Sequence, residues 1–227
     1  MKKNDLGNIK VHWEKIEQAP GLHPHEVDIF PRFVAHAEIA EKILEIGVGD
    51  GRMQQNLVDA GINVQKLYGI DIGEHIWKSL GHKFIGDARN LEFSDDTFDL
   101  VYSLGVVEHF HETQQAINEH FRVLKPGGHA LVTTPRLSFE TLYRKYSFYR
   151  NTLQKKGTFK EIKGENFSLN HLSKILKNAG FKVIYQNADG DVSTYIKRKS
   201  PKFYHRYLMR HKNNFGSFNV IYAQKPQ

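Results

Sequence analysis

The 227-residue chain contains no cysteine. That absence removes disulfide frameworks, thiolate zinc or iron–sulfur sites, and cysteine nucleophiles. Long apolar runs are missing too. No stretch approaches the length of a membrane span, and the opening Met1-Lys2-Lys3-Asn4-Asp5-Leu6-Gly7 has no apolar h-region. A soluble, cytoplasmic protein is the expectation. Acids are in the minority, 25 Asp and Glu against 32 Lys and Arg, for a formal net charge of +7. Such a balance points to anionic partners without choosing among nucleic acid, phosphorylated metabolite, lipid surface and acidic polysaccharide.

What is present reads as one globular domain. Hydrophobic residues are 40% and charged residues 25%, ordinary values for a folded chain of this length. The basic residues are clustered. Arg136 to Lys163 holds eight against Glu140 and Glu161, and Lys197 to Lys212 holds seven and no acid. Any anion-attracting face is expected from those two stretches.

Short apolar runs alternate with helical patterns, as in successive βα units. Strands are expected at Ile43–Ile46, Val64–Ile70, His82–Ile85, Phe98–Ser103, His129–Thr134, Phe181–Gln186 and Ser217–Gln224. Helices are expected at Arg52–Ala60, at Glu112–Leu124 with a stop at Lys125-Pro126-Gly127-Gly128, and after the N-cap Ser168. Strands joined by crossover helices make a doubly wound, mostly parallel α/β sheet. The final strand, after its long connection, suits an antiparallel edge.

The chemistry concentrates at C-terminal strand ends, where open α/β sheets bind ligands. Glu45-Ile46-Gly47-Val48-Gly49-Asp50-Gly51 turns from the first strand into a helix, and its glycines let a ligand lie against the backbone. A dinucleotide fingerprint would want its third glycine at position 52, which is Arg52. Glu45 beside the loop suits a ligand carrying positive charge better than a pyrophosphate. Asp71 ends the second strand, where a carboxylate can accept bonds from both hydroxyls of a ribose; a plain helix cap is the alternative. Gly86-Asp87-Ala88 ends the third, where Asp87 reaches toward an adenine amino group or closes an Asx-turn.

These motifs, with Phe98-Asp99-Leu100-Val101, Glu108-His109 and Val123-Leu124-Lys125-Pro126-Gly127-Gly128, resemble the ordered series of class I S-adenosylmethionine-dependent methyltransferases. The group that includes the ubiquinone/menaquinone-biosynthesis enzymes is the most similar in flavour. The resemblance covers about residues 40–135 and implies a Rossmann-like, seven-stranded sheet with its last strand antiparallel. It implies S-adenosyl-L-methionine as cofactor and S-adenosyl-L-homocysteine as product. Glu45, Ile46, Gly47, Val48, Gly49, Asp50 and Gly51 would hold the methionine portion. Asp71 would take the ribose with Ile72 on the adenine, Gly86, Asp87 and Ala88 would read the adenine edge, and Ser103 would lie beneath the cofactor.

The sulfonium makes the methyl group electrophilic, so the enzyme need only align an acceptor and, where required, take its proton. His109 is the candidate base; a loop tether is the plainer reading, as is a structural role for Glu108. Residues 1–40 are expected as an N-terminal helical cap, with His12-Trp13 and Phe30 to His36 near the cofactor. Residues 41–135 are then the cofactor-binding core, 136–166 a basic, aromatic insertion, and 167–227 the rest of the sheet. Within the insertion, Tyr143, Arg144, Tyr146 and Arg150 are candidate substrate contacts, or a face packed on the sheet rim. His23-Pro24-His25 with Glu26 and Asp28 reads as a solvated loop, and no metal is expected.

The expected reaction is methyl transfer to oxygen or nitrogen on a small anionic metabolite, sugar or biosynthetic intermediate. RNA methylation is the second reading, since basic and aromatic residues together also hold single strands. The runner-up of another class is an inactive cofactor-binding protein that acts through a partner, and a nicotinamide oxidoreductase, disfavoured by Arg52, is the third choice.

Overall fold

A computed structural model describes residues 20–136, 167–189 and 216–227, with residues 200, 202, 206 and 207. The elements in chain order are α1 (Phe30–Ile39), β1 (Ile43–Ile46), α2 (Arg52–Asp59), β2 (Leu67–Asp71), β3 (His82–Ile85) and β4 (Phe98–Leu104). They continue with α3 (Thr113–Val123), β5 (Leu124–Pro135), α4 (Leu169–Asn178), β6 (Lys182–Asp189) and β7 (Phe218–Gln224). Seven strands form one sheet in the order β3-β2-β1-β4-β5-β7-β6. β1 to β5 pair in parallel, and β7 runs antiparallel to both β5 and β6.

The alternation of side chains along β1 divides the core in two. All four residues of β1 are buried, as a central strand covered on both faces requires. Leu44 and Ile46 join Ala116 and Ile117 of α3 and Leu172 and Leu176 of α4 on one face. Ile43 faces the other way, with Phe33 and Ala37 of α1, Met53 and Leu57 of α2, and Leu100 and Tyr102 of β4. Helix starts follow local chemistry. Ser168 accepts a hydrogen bond from the His171 N–H at 3.2 Å, which caps α4.

Four expectations change. The second strand begins at Leu67, because Val64–Lys66 is a 3-10 turn whose Asn63 side chain accepts from the Gln65 N–H. β5 begins at Leu124, so Lys125-Pro126-Gly127-Gly128 belongs to the irregular opening of that strand, with a register shift against β4. β7 is no edge. It fills the gap between β5 and β6, and β6 is the outer strand. Phe30 to His36 lies in α1, whose buried Phe33 meets the Tyr102 ring edge-on at 4.9 Å, so this segment covers a sheet face. His12 and Trp13, together with Tyr143, Arg144, Tyr146 and Arg150 of the insertion, lie outside the described residues.

The loop before α1 is also unlike its expectation. His25 and Glu26 are buried, at 5% and 1% exposure, so this is no solvated loop. Glu26 receives the Arg52 guanidinium through both oxygens, at 2.7 and 2.5 Å. The His25 ring stacks on Phe218 with centroids 3.7 Å apart. No described helix is long and apolar enough to cross a membrane.

Candidate active site

The C-terminal ends of β1, β2 and β4 open into a cleft. Ile46, Gly47, Gly49 and Asp50 form one wall; Ile70, Asp71, Ile72 and His75 form the second. Gly86 and Ala88 close one end, and Leu104, Gly105, Val106, His109 and Phe110 close the other.

The glycine turn is held from both sides. Gly47 has φ +74°, and a Cβ there would run into the Val106 side chain. Gly49 donates its N–H to Asp71 Oδ2 at 2.9 Å, and Gly73 donates to Asp71 Oδ1 at 2.8 Å. Asp71 is therefore more than a cap. It ties the turn to β2 with one bond per oxygen, which leaves each oxygen a lone pair for a ligand hydroxyl.

Five of the expected cofactor residues do not line the cleft. Glu45 alternates to the opposite sheet face from Ile46, where Tyr102 donates its hydroxyl to Glu45 Oε2 at 2.8 Å. Burial there raises its pKa to about 8, so it supplies no fixed negative charge for a cationic ligand. Val48 is buried, with its methyl groups against Gly69. Gly51 has φ +88° and packs so tightly on Ser79 that a Cβ would come within 2.6 Å of the Ser79 backbone. Asp87 closes an Asx-turn, accepting from the Arg89 N–H at 2.9 Å, and its carboxylate pairs with the Arg89 guanidinium at 2.8 Å. Ser103 is fully buried and bonds His120 Nε2 at 3.0 Å, inside the α3 layer.

Other lining residues carried no sequence signal of their own. His75, Leu104, Gly105, Val106 and Phe110 reach the cleft because they follow strand ends that form its rim. Phe110 is held in place by the Arg89 guanidinium, 5.0 Å from its ring centroid, and Arg89 also pairs with Glu112 at 2.7 Å. Behind His109 lies Glu108, whose buried carboxyl is pushed up to about 8 and whose Oε1 is 3.8 Å from His109 Nε2. Among the described residues no Lys or Arg lines the cleft.

Two polar atoms of the cleft lining are available to a ligand. Asp50 Oδ1 and His75 Nε2 are buried without hydrogen-bond partners among the described residues. Such groups cost free energy unless something satisfies them. Ile72, Ala88 and Phe110 add apolar surface to the same lining, so the cleft combines polar and apolar groups.

Comparisons with known proteins point to one type of domain. Residues 44–132 match the profile described as a methyltransferase domain. That stretch of the chain is similar to methyltransferase domains. Phosphoethanolamine N-methyltransferase 2 of Caenorhabditis elegans is 30% identical over 51% of this chain and 28% of its own length. Demethylmenaquinone methyltransferase of Chlorobaculum tepidum is 29% identical over 62% of this chain and 65% of its own. The chain thus spans less than two thirds of the length of these curated relatives. Among solved structures, Haemonchus contortus phosphoethanolamine N-methyltransferase 2, in complex with phosphomonomethylethanolamine and S-adenosylhomocysteine, is similar at TM-score 0.61. There the identity is 19%, with 100% of this chain and 59% of that one covered. The seven-stranded sheet with β7 antiparallel agrees with the sheet expected from the sequence.

Proposed function

We propose that the chain transfers the methyl group of S-adenosylmethionine to an oxygen or nitrogen on a small anionic acceptor. The observation that carries the cofactor is the cleft itself: the Gly47–Gly49 turn tied to Asp71, with Asp50 Oδ1 and His75 Nε2 left unsatisfied beside it. Gly47, Gly49 and Asp50 would hold the methionine portion, Asp71 the ribose hydroxyls, and Ile72, Ala88 and Phe110 the adenine faces. When bound, the cofactor supplies an electrophilic methyl group.

The chain's own part is to align the acceptor and exclude water. Leu104, Val106 and Phe110 are the apolar groups that would do the second. His109, on the same wall, is the candidate to take the acceptor's proton. Support for an anionic acceptor is the net charge of +7 and a relative whose name specifies phosphoethanolamine. The cations for such an acceptor would come from outside the described cleft lining, with Arg144 and Arg150 as candidates.

Calorimetric titration of S-adenosylhomocysteine, with NADH as control, tests the cofactor. Micromolar binding that Asp71→Ala weakens about tenfold or more is expected; a preference for NADH would overturn the reading. An acceptor screen with radiolabelled methyl donor then tests the transfer. With the acceptor found, His109→Gln should lower kcat by about a hundredfold while product affinity holds, as loss of a general base does. An unchanged kcat would return His109 to a loop tether.

A further inference from the structure

We propose that His23, His25 and Glu26 form a binding site for one divalent transition-metal ion, best suited to zinc. Among the described residues they are the one cluster of three metal-capable side chains, with donor atoms within 4.8 Å of one another. Two imidazoles and a carboxylate, with a fourth position for water, are an established zinc donor set.

The donor atoms, within 4.8 Å of one another, must draw together around an ion. Donors bound tetrahedrally at roughly 2.0–2.1 Å stand about 3.3 Å apart. His25 Nε2 lies 3.9 Å from Glu26 Oε1, so that pair needs only a small closure. Lone-pair accounting selects the same oxygen. Glu26 Oε2 already accepts from the His23 N–H and Arg52 Nη1, each at 2.7 Å. Oε1 accepts only Arg52 Nη2, which leaves one lone pair on the oxygen that faces His25.

The surroundings prepare the ligands. Stacking on Phe218 fixes the His25 ring plane before any ion arrives. Arg52 is the opposing charge. It already holds both Glu26 oxygens, so it competes with an ion for the carboxylate and lowers affinity. It also bonds the Gly21 carbonyl at 2.8 Å and is the first residue of α2, directly after Gly51. Metal binding would therefore fasten residues 21–26 to the start of α2.

The test needs no cofactor and so stands apart from the methyltransferase reading. The full chain is titrated with Co²⁺, read by visible absorption, and with Zn²⁺ by calorimetry. One equivalent with the intense bands of low-coordinate cobalt is expected, with affinity falling about tenfold or more in His23→Ala. His23 is partly exposed, so that variant keeps the fold; His25→Gln should behave alike. Zinc should raise Tm in the wild type and not in His23→Ala. No stoichiometric uptake by the wild type would overturn the site. So would uptake unchanged in both variants, which would mean binding by other histidines.

Discussion

Glu45 shows how one side chain's direction decides its chemistry. It stands two positions before the first glycine of the cofactor turn, yet strand alternation delivers it to Tyr102 on the far face of the sheet. Its folded pKa of about 8 lies above the ordinary 4.5, so the unfolded chain gives up this proton first as pH rises. Stability from the protonated form is full below pH 4.5 and lost by about pH 8. Glu45→Gln cannot titrate. Its Tm relative to wild type should therefore climb across that window, while S-adenosylhomocysteine affinity changes less than about twofold, well below the tenfold that a lost contact of about 1.4 kcal/mol gives. Differential scanning fluorimetry from pH 5 to pH 9 checks the first, calorimetry the second, and a large affinity loss would place Glu45 at the ligand after all. Asp87 teaches the same point. Its sequence position suits an adenine contact, but Arg89, two residues on, claims the carboxylate.

At the scale of elements, α1 covers a sheet face with Phe33 fully buried against Tyr102. Phe33→Ala should cost about 3–5 kcal/mol, visible as an earlier urea midpoint with the m-value kept. A loss under about 1 kcal/mol would mean that α1 is not part of the cooperative core. Elements with strong punctuation were legible in the sequence. β1 and β3 match their expected bounds, and α2 starts at Arg52 because Gly51 ends the turn before it. Asp71, Gly47 and Gly49 were legible as residues at the mouth of the sheet, where the candidate cleft lies, because strand end and glycine spacing are both local signals. The place of β7 was not. Its residues say strand, but its seat between two others is set by which edge stays open when the rest has packed. The burial of His25 and Glu26 was equally hidden. It depends on Arg52 and Phe218, 26 residues away in one case and at the other end of the described chain in the other.

For the whole molecule, buried histidines and buried carboxyls push stability in opposite directions. His25, His120 and His129 all have pKa values lowered from 6.5 to about 4 by burial. Below pH 6.5 the unfolded chain binds protons that the fold refuses, so stability falls toward pH 4. Glu45 and Glu108, both raised to about 8, erode it as pH climbs from 4.5. Three histidines outweigh two carboxyls on the acid side, and only the carboxyls act above 6.5. Thermal melts should peak near pH 6.5, and a maximum displaced to pH 8 or above would contradict this balance.

The position of β7 also bears on how the chain emerges from a ribosome. Among the described residues β6 finds its one sheet partner in residues 218–224, so synthesis must continue from Asp189 to Gln224 before that pairing can form. At roughly 5–20 residues per second that is a wait of about 2–7 s. Through that interval β5 offers a bare edge and β6 has none to join. Nascent chains of this protein thus pass through a timed window of exposed pairing edges, and its yield on expression will depend on how well that window is guarded.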